Sequence, residues 1–310
     1  MTGKSEIQWT DATWNPTSGC DRVSPGCDHC YAMTLAKRLK AMGSPRYQTD
    51  GDPKTSGPGF GVAVHPDALD WPLRKTKPLR IFVNSMSDLF HESVPDNFIG
   101  SVFDTMALAP QHTFQILTKR HARMRSLLTR WEVQAADRPH AGASFRRHDM
   151  MWSEPRIWPL PNVWLGVSVE DQKWADIRIP ALLRTPAAVR FLSCEPLLGP
   201  LDIRHHLAGF CPEHDFPGGF CVDRFHPGVQ RIGWCIVGGE SGPGARPMEI
   251  EWARTLVKHC RDWDVAPFMK QLGAIRGREL GTDSHGGDWD DWPADLRIRE
   301  FPATRQAATA

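Results

Sequence analysis

The chain has 310 residues, of which 41% are hydrophobic and 24% charged, a composition typical of a soluble protein with a large core. Its formal net charge of +1 excludes a global basic field for nucleic acid, although a local basic patch stays compatible with it. Neither a signal peptide nor a run approaching the ~18 apolar residues of a membrane span is present. The sequence therefore predicts a cytoplasmic protein, in which clustered cysteines favour metal or redox chemistry over disulfides.

Seven short apolar segments are predicted to be β-strands. Each is continuously apolar rather than alternating, as is typical of parallel strands that are buried on both faces. In chain order they are residues 7–10, 80–84, 113–117, 163–169, 189–193, 232–237 and 266–270.

Helical periodicity separates these strands. Apolar residues recur at helical spacing from Tyr31 to Met42, and Gly43 is a suitable stop. Ser93 is predicted to cap a second helix. Residues 248–260 repeat the amphipathic pattern before the last strand.

Strand–helix alternation predicts βαβ units with right-handed crossovers. The expected fold is α/β, a full or partial (β/α) barrel of six to seven mostly parallel strands, with a doubly wound open sheet as the alternative. The barrel is expected over residues 1–276, followed by a turn-rich cap and tail over 277–310. Three segments rich in Gly, Pro or His interrupt it and are predicted to cover the rim at the carboxyl ends of the strands: 44–79, 132–161 and 203–230.

Polar and glycine-rich segments follow nearly every predicted strand. Because the carboxyl ends of the strands of a parallel barrel meet on one rim, this concentration predicts an active site there. The segments read TWNPTSGC, NSMSDLFHE, TKR, SVED, CEPLLGP, GGESGPGAR and KQLG.

The first of these segments leads into three cysteines with the spacing C-x6-C-x2-C, at Cys20, Cys27 and Cys30. Three thiolates are one short of a closed structural zinc site. This favours a [4Fe–4S] cluster held through three irons, with the fourth iron open to a ligand. The alternative is a zinc knuckle in which His29 is the fourth ligand.

A three-cysteine loop after the first strand of a parallel βα barrel resembles the radical S-adenosylmethionine (AdoMet) superfamily. More closely, a set of motifs between residues 5 and 293 resembles a radical-SAM-like family carried by phages and prophages, whose loop has this C-x6-C-x2-C spacing. The motifs are WTDATWNPTSGC, CDHCYA, FVNSMSDLFH, ILTKR, LGVSVED, CEPLLGP, VGGESGPGAR and KQLG with WDDWP.

This resemblance implies a TIM-barrel-like fold, a [4Fe–4S] cluster and AdoMet as cofactors, and a reductive electron donor as partner. The implied reaction is the reductive cleavage of AdoMet to a 5′-deoxyadenosyl radical, which then acts on a substrate. The residues implied to contact AdoMet are His29, Tyr31, Asn84, Ser85, Asp88, Gly238, Gly239, Glu240 and Arg246.

Three further charged residues are candidates for catalysis. Lys119 and Lys270 are suited to a carboxylate or phosphate, as is Arg246. Glu195 ends a buried strand, where a carboxylate needs a partner. A nucleotide or nucleic-acid substrate is favoured by local positive charge in 119–130 and 144–148, which could equally be a solvated helix face.

A second metal site is conceivable in the last interruption. Cys211, His214, Cys221 and His226 could hold a structural zinc ion, and a flexible loop is the alternative. A rival function for the whole chain is a non-catalytic protein, stabilised by zinc or a cluster, that binds nucleic acid or a partner.

Overall fold

A computed structural model describes residues 2–137, 158–211, 229–281, 283 and 285–303. Its strands are β1 (Gly3–Lys4), β2 (Ala12–Trp14), β3 (Thr17–Ser18), β4 (Ala63–Val64), β5 (Arg80–Val83), β6 (Thr113–Thr118), β7 (Val163–Ser168), β8 (Val189–Cys194), β9 (Trp234–Gly238) and β10 (Ala266–Gln271). Its α-helices are α1 (Tyr31–Ala41), α2 (Asp96–Leu108), α3 (His121–Asp137), α4 (Gln172–Leu183), α5 (Arg204–Leu207), α6 (Ile250–Asp262) and α7 (Ala274–Leu280).

The fold is α/β, with a mostly parallel sheet of eight strands in the order β1-β2-β5-β6-β7-β8-β9-β10. From β2 onward the neighbours follow one another in chain order. The β2–β5, β5–β6, β8–β9 and β9–β10 pairs are parallel, whereas β1 joins β2 antiparallel. A doubly wound sheet requires a reversal of strand order, and the strands of the described chain show none. The predicted parallel sheet is therefore confirmed.

Six of the seven predicted strands are confirmed to within two residues at either end. The first is wrong: residues 7–10 form a turn, in which the backbone N–H of Thr10 donates to the carbonyl of Ile7 over 3.2 Å. The Thr10 hydroxyl also donates to the carbonyl of Arg80 over 2.9 Å. These bonds hold the chain as a turn, and the strand forms after it, at Ala12.

The chain divides into two compact units, Met1–Leu165 with Thr185–Ala188, and Gly166–Arg184 with Val189–Ala310. In the first unit, the fully buried Trp14 packs against Phe114 with ring centroids 5.8 Å apart. The Trp14 indole N–H donates to the carbonyl of Ala68 over 2.7 Å. This bond satisfies the one polar atom of a side chain that is otherwise held by apolar contacts.

Helix α1 is confirmed, and its predicted apolar face is confirmed in part. Tyr31 and Met42 at the two ends are exposed. The residues that are buried or packed half-buried against the core are Ala32, Leu35, Ala36 and Leu39. The small residues allow a close backbone approach: a Cβ atom on Gly59 would lie 2.8 Å from the carbonyl oxygen of Ala36. A long side chain on the face of α1 that packs against Gly59 would push the segment around Gly59 away from the helix.

The predicted cap of α2 is wrong. The helix begins at Asp96 after Pro95. The backbone N–H of Ser93 instead donates to Nδ1 of His91 over 3.1 Å, so Ser93 belongs to the preceding turn.

The three predicted interruptions differ in structure. Residues 44–79 contain short 3-10 turns and β4, which pairs with β3. Helix α3 runs through Asp137, so the second interruption starts later than residue 132, and its residues 138–157 lie outside the described chain. The third contains α5, and its residues 212–228 lie outside the described chain. The division into a barrel over 1–276 and a cap over 277–310 stays a prediction.

The core of the second unit is built on β8, β9 and β10. Trp234 packs against Phe191 and Phe268 with ring centroids 5.5 and 5.8 Å apart. Gly166 allows Phe191 to approach β7, because a Cβ atom there would lie 2.4 Å from the ring. None of the helices in the described part of the chain is long and apolar enough to cross a membrane.

Candidate functional site

The cysteine loop starts beside the segment that follows β5. The backbone N–H of Gly19 donates to the carbonyl of Met86 over 3.1 Å, and Gly19 forms a parallel bridge with Ser87. Gly19 has a φ of 83°, and a Cβ atom there would lie 2.1 Å from the carbonyl oxygen of Gly61. Glycine is therefore required at the position that sets the direction of the loop.

All three thiols of this loop are at least partly shielded from solvent. Cys27 is buried, at 8% exposure. Cys20 and Cys30 are half-buried and pack against the apolar cluster of α1 and its neighbours. Helix α1 starts directly after Cys30, whose carbonyl accepts from the N–H of Thr34. The start of the helix thus fixes the position of the third cysteine.

The environment of Cys20 opposes loss of its proton when no metal is bound. Burial raises the pKa of its thiol to about 12, with Asp88 and the other two thiols adding to the shift, while the Arg120 guanidinium lowers it.

The three sulfur atoms of the loop do not all lie within 4.8 Å of one another. In the described part of the chain, one group of three metal-ligating residues has its ligand atoms all within 4.8 Å of one another, and it does not include the cysteines. A tetrahedral zinc ion with bonds of about 2.3 Å would hold its sulfur ligands about 3.8 Å apart. Separate irons of a cluster accept wider spacing than one zinc ion, and the zinc knuckle with His29 stays the alternative.

Asp88 connects the segment after β5 to the segment after β6. Its carboxylate accepts from the hydroxyl of Thr118 at 2.7 Å and from the backbone N–H groups of Lys119 and Phe90 at 3.0 Å. Its side chain is only 8% exposed. Asp88 therefore fixes the segment after β5 against the segment after β6.

Arg120 joins this carboxylate to the cysteine loop. Its Nη1 atom lies 3.9 Å from Asp88 Oδ2 and donates to the sulfur of Cys20 over 3.6 Å. A guanidinium donor at this sulfur favours its thiolate form, which is the form that binds a metal.

A second carboxylate, Asp21, anchors the cysteine loop on its other side. It accepts from the hydroxyls of Thr55 and Ser56 at 2.5 and 3.0 Å and from Nε2 of His91 at 2.9 Å. Because His91 Nδ1 accepts from the N–H of Ser93, its proton is on Nε2. Burial would raise the pKa of Asp21, but these hydrogen bonds lower it overall, so the carboxylate is charged at neutral pH.

Asn84, directly after β5, carries a buried amide nitrogen that has no hydrogen-bond partner among the described residues. Its backbone has a φ of 65°, the left-handed region that asparagine tolerates better than most residues. Its Oδ1 accepts from the N–H of Thr17 over 3.4 Å, and the side chain is 3% exposed. Among the described residues, none accepts from Nδ2. An orphaned buried donor is costly, so this atom is suited to an acceptor on a bound ligand.

The rest of this segment is tied to the cysteine loop and to β2. The hydroxyl of Tyr31, the residue after Cys30, donates to the carbonyl of Ser85 over 2.5 Å. The Ser85 hydroxyl and the side-chain amide of Asn15 exchange hydrogen bonds of 3.2 Å. The predicted residues Tyr31, Asn84, Ser85 and Asp88 thus lie next to the cysteine loop. Tyr31 and His29 are both exposed, and the binding roles of all five residues stay predictions.

In the second unit, the predicted residues form two ion pairs at the carboxyl ends of strands. Glu195 pairs with Lys270, and both side chains are less than one-fifth exposed. This confirms that the carboxylate after β8 needs a partner. Arg246 donates to Glu240 from its backbone N–H, Nε and Nη2 atoms over 2.8, 2.9 and 2.5 Å. An amine or ribose would have to compete with Arg246 for this carboxylate.

The glycines before Glu240 allow two segments to lie close together. A Cβ atom on Gly239 would be 2.3 Å from the carbonyl oxygen of Leu272. On Gly238 it would be 3.5 Å from Glu195, an ordinary contact. The roles of Lys119, Glu195, Lys270, Gly238, Gly239, Glu240 and Arg246 in binding or catalysis stay predictions.

Three of the four proposed zinc ligands of the third interruption lie outside the described residues: His214, Cys221 and His226. Cys211 is described and buried. The basic segment 144–148 also lies outside the described chain.

Comparison with known proteins identifies the family. The family described as DUF5131, protein of unknown function, matches residues 4–295, so the chain belongs to this family. No curated protein matches the chain. Among solved structures, a double mutant of spore photoproduct lyase with bound AdoMet and dinucleoside spore photoproduct is similar in 88% of this chain and 79% of its own, with 10% identity and a TM-score of 0.43.

Proposed function

We propose that this chain is an iron–sulfur enzyme, built on a partial (β/α) barrel, that cleaves AdoMet reductively. The observation that carries the proposal is the site of the first unit, where three partly shielded thiols of one loop adjoin the segment after β5, whose Asn84 has a buried amide nitrogen with no acceptor among the described residues. The radical-SAM-like motifs of the sequence support the same function.

The donor set fits a cluster held by three thiolates. Cys20, Cys27 and Cys30 would be the ligands, and their partial burial would limit the access of water and oxidants. When bound, the cluster would supply the electron that breaks the S–C5′ bond of AdoMet, giving methionine and the 5′-deoxyadenosyl radical.

The protein's own groups would bind and orient AdoMet. Asn84 Nδ2 would donate to an acceptor oxygen of AdoMet, since it has no acceptor among the described residues. Asp88 would act indirectly, because its carboxylate is already engaged by Thr118, Lys119 and Phe90. It would be a positioning residue that fixes the loop carrying Asn84.

The substrate is proposed to be a nucleotide or nucleic acid. Lys119 directly follows β6 and would present a cation to a phosphate. A protein electron donor would supply the reducing equivalents in the cell.

Reductive cleavage is the direct test of the proposed reaction. After anaerobic reconstitution and with dithionite as reductant, the wild-type protein is expected to convert AdoMet to methionine and 5′-deoxyadenosine, slowly even without substrate, as measured by chromatography. Cys27→Ala protein treated identically gives the background. An intact cluster that binds AdoMet without cleaving it, with or without nucleic acid, would exclude the radical mechanism and favour a binding or electron-transfer role.

Removal of the Arg120 charge is expected to make the cluster harder to reduce. The guanidinium donates to Cys20 and would stabilise the more negative, reduced form. Arg120→Gln should therefore shift the midpoint potential to a more negative value in a spectroelectrochemical titration. Arg125→Gln, an exposed change on α3, the helix that follows Arg120, is the matched control. An Arg120→Gln potential equal to that of the control would show that this contact does not tune the cluster.

A further inference from the structure

A second group of metal-ligating side chains lies in the second unit, on α4 and α5. It consists of Asp176, His205 and His206, whose ligand atoms all lie within 4.8 Å of one another. Asp176 Oδ1 is 3.2 Å from Nε2 of His206 and 4.0 Å from Nε2 of His205. Within the described ranges it is the one group of three that meets this distance limit.

The two histidines are consecutive, yet both reach the same carboxylate oxygen. Consecutive side chains on an ideal helix diverge by about 100°. Here the two rings pack with centroids 3.7 Å apart and planes inclined by 43°. A simple hydrogen bond between His206 and Asp176 would not require His205 to turn in the same direction.

Gln172 holds α5 in place against α4. Its side-chain carbonyl accepts from the backbone N–H of Asp202 over 2.7 Å, and its amide donates to the carbonyl of Asp202 over 3.1 Å. The same amide donates to Asp176 Oδ1 over 2.8 Å. The carboxylate is thereby oriented by a neighbour that is not itself a ligand, as is common around protein metal sites.

Exposure of the group would allow an ion to enter from solvent. The His206 side chain is 7% exposed, whereas those of His205 and Asp176 are 47% and 53% exposed. One side of the group is therefore packed against protein, and the other side leaves room for water to complete the coordination of an ion.

We propose that Asp176, His205 and His206 bind a divalent transition-metal ion of the zinc class. Two imidazole nitrogens and one carboxylate oxygen are a donor set that Zn²⁺ accepts, with water as the fourth ligand. This site is distinct in residues and in chemistry from the cysteine loop, and it does not depend on the proposed iron–sulfur function.

Cobalt titration tests the site, because Co²⁺ occupies zinc sites and its spectrum reports its ligands. Metal-free, reduced wild-type protein is expected to bind one Co²⁺ that produces ligand-field bands without a thiolate charge-transfer band. His205→Ala should lower the affinity for this ion about tenfold or more. Because His205 and Asp176 are largely exposed, His205→Ala and Asp176→Ala are both expected to fold.

His285→Ala provides the matched control, since His285 is also exposed and also lies near an aspartate, Asp283. It should leave the Co²⁺ titration unchanged. Equal thiolate-free Co²⁺ binding by the wild type, His205→Ala and Asp176→Ala would overturn the proposal. So would the absence of such binding in the wild type, which would leave the group as a hydrogen bond between His206 and Asp176.

Discussion

Replacement of Cys27 by alanine is expected to abolish stable iron loading. Only two thiolates of the loop would remain, which cannot hold a cluster through three irons. Anaerobic reconstitution should give about four irons per chain in the wild type, as a [4Fe–4S] cluster requires, and less than one in the variant. Cys20→Ala and Cys30→Ala should behave in the same way, as measured by iron and acid-labile sulfide analysis.

The matched control is Cys260→Ala, which removes a buried thiol of α6 in the second unit. It is expected to keep its full iron content. Removing one buried sulfur costs only about 1 kcal/mol, so circular dichroism should show folded protein for every variant. Full iron retention by folded Cys27→Ala would contradict the assignment of the cysteine loop.

Asp88→Ala is expected to have the largest effect on stability among the residues of the site. The change leaves three donors, from Thr118, Lys119 and Phe90, without their acceptor in a buried position. Each orphaned donor costs about 1–3 kcal/mol, and partial rehydration should limit the total loss to about 2–4 kcal/mol. Urea denaturation followed by circular dichroism measures this loss.

Two companion variants separate the hydrogen bonds from the charge of Asp88. Asp88→Asn retains one carbonyl acceptor and should lose less stability than Asp88→Ala. Asp70→Ala removes an exposed carboxylate whose ion pair with Arg74 spans one helical turn, so its loss should stay below about 1 kcal/mol. Equal denaturation midpoints for Asp88→Ala and Asp70→Ala would show that Asp88 does not hold the two loops together.

The parallel sheet could be predicted because most of its strands are short apolar runs that can be recognised in the sequence. Residues 163–169 and 232–237 are apolar apart from Ser168, which is typical of strands buried on both faces, and β7 and β9 form there. The strand β2 has no such signal, because it has only three residues, Ala12–Trp14. So short a strand has too few positions to show a pattern.

The candidate site could be predicted only where its residues are close in sequence. The cysteines and the 84–88 segment are short motifs, and the structure brings them together. The contacts of Asp21 with Thr55 and Ser56 join positions more than thirty residues apart. The residues between these positions show no sequence pattern from which the contacts could be predicted. Asp176 and its two histidines are likewise distant in sequence, on α4 and α5, and no local pattern predicts that they meet.

The contacts between the cysteine loop and residues 49–61 also bear on the order in which the protein is assembled. Gly19 fits against Gly61, Asp21 is held by Thr55 and Ser56, and the N–H of Arg22 donates to the carbonyl of Thr55. Residues 44–79 are predicted to cover the site. The contacts show that residues 49–61 of this segment bind and position the cysteine loop. In a zinc finger the metal organises an unfolded chain. Here hydrogen bonds to a distant segment of the polypeptide hold the loop without a metal, so iron is expected to enter a loop that the protein has already shaped.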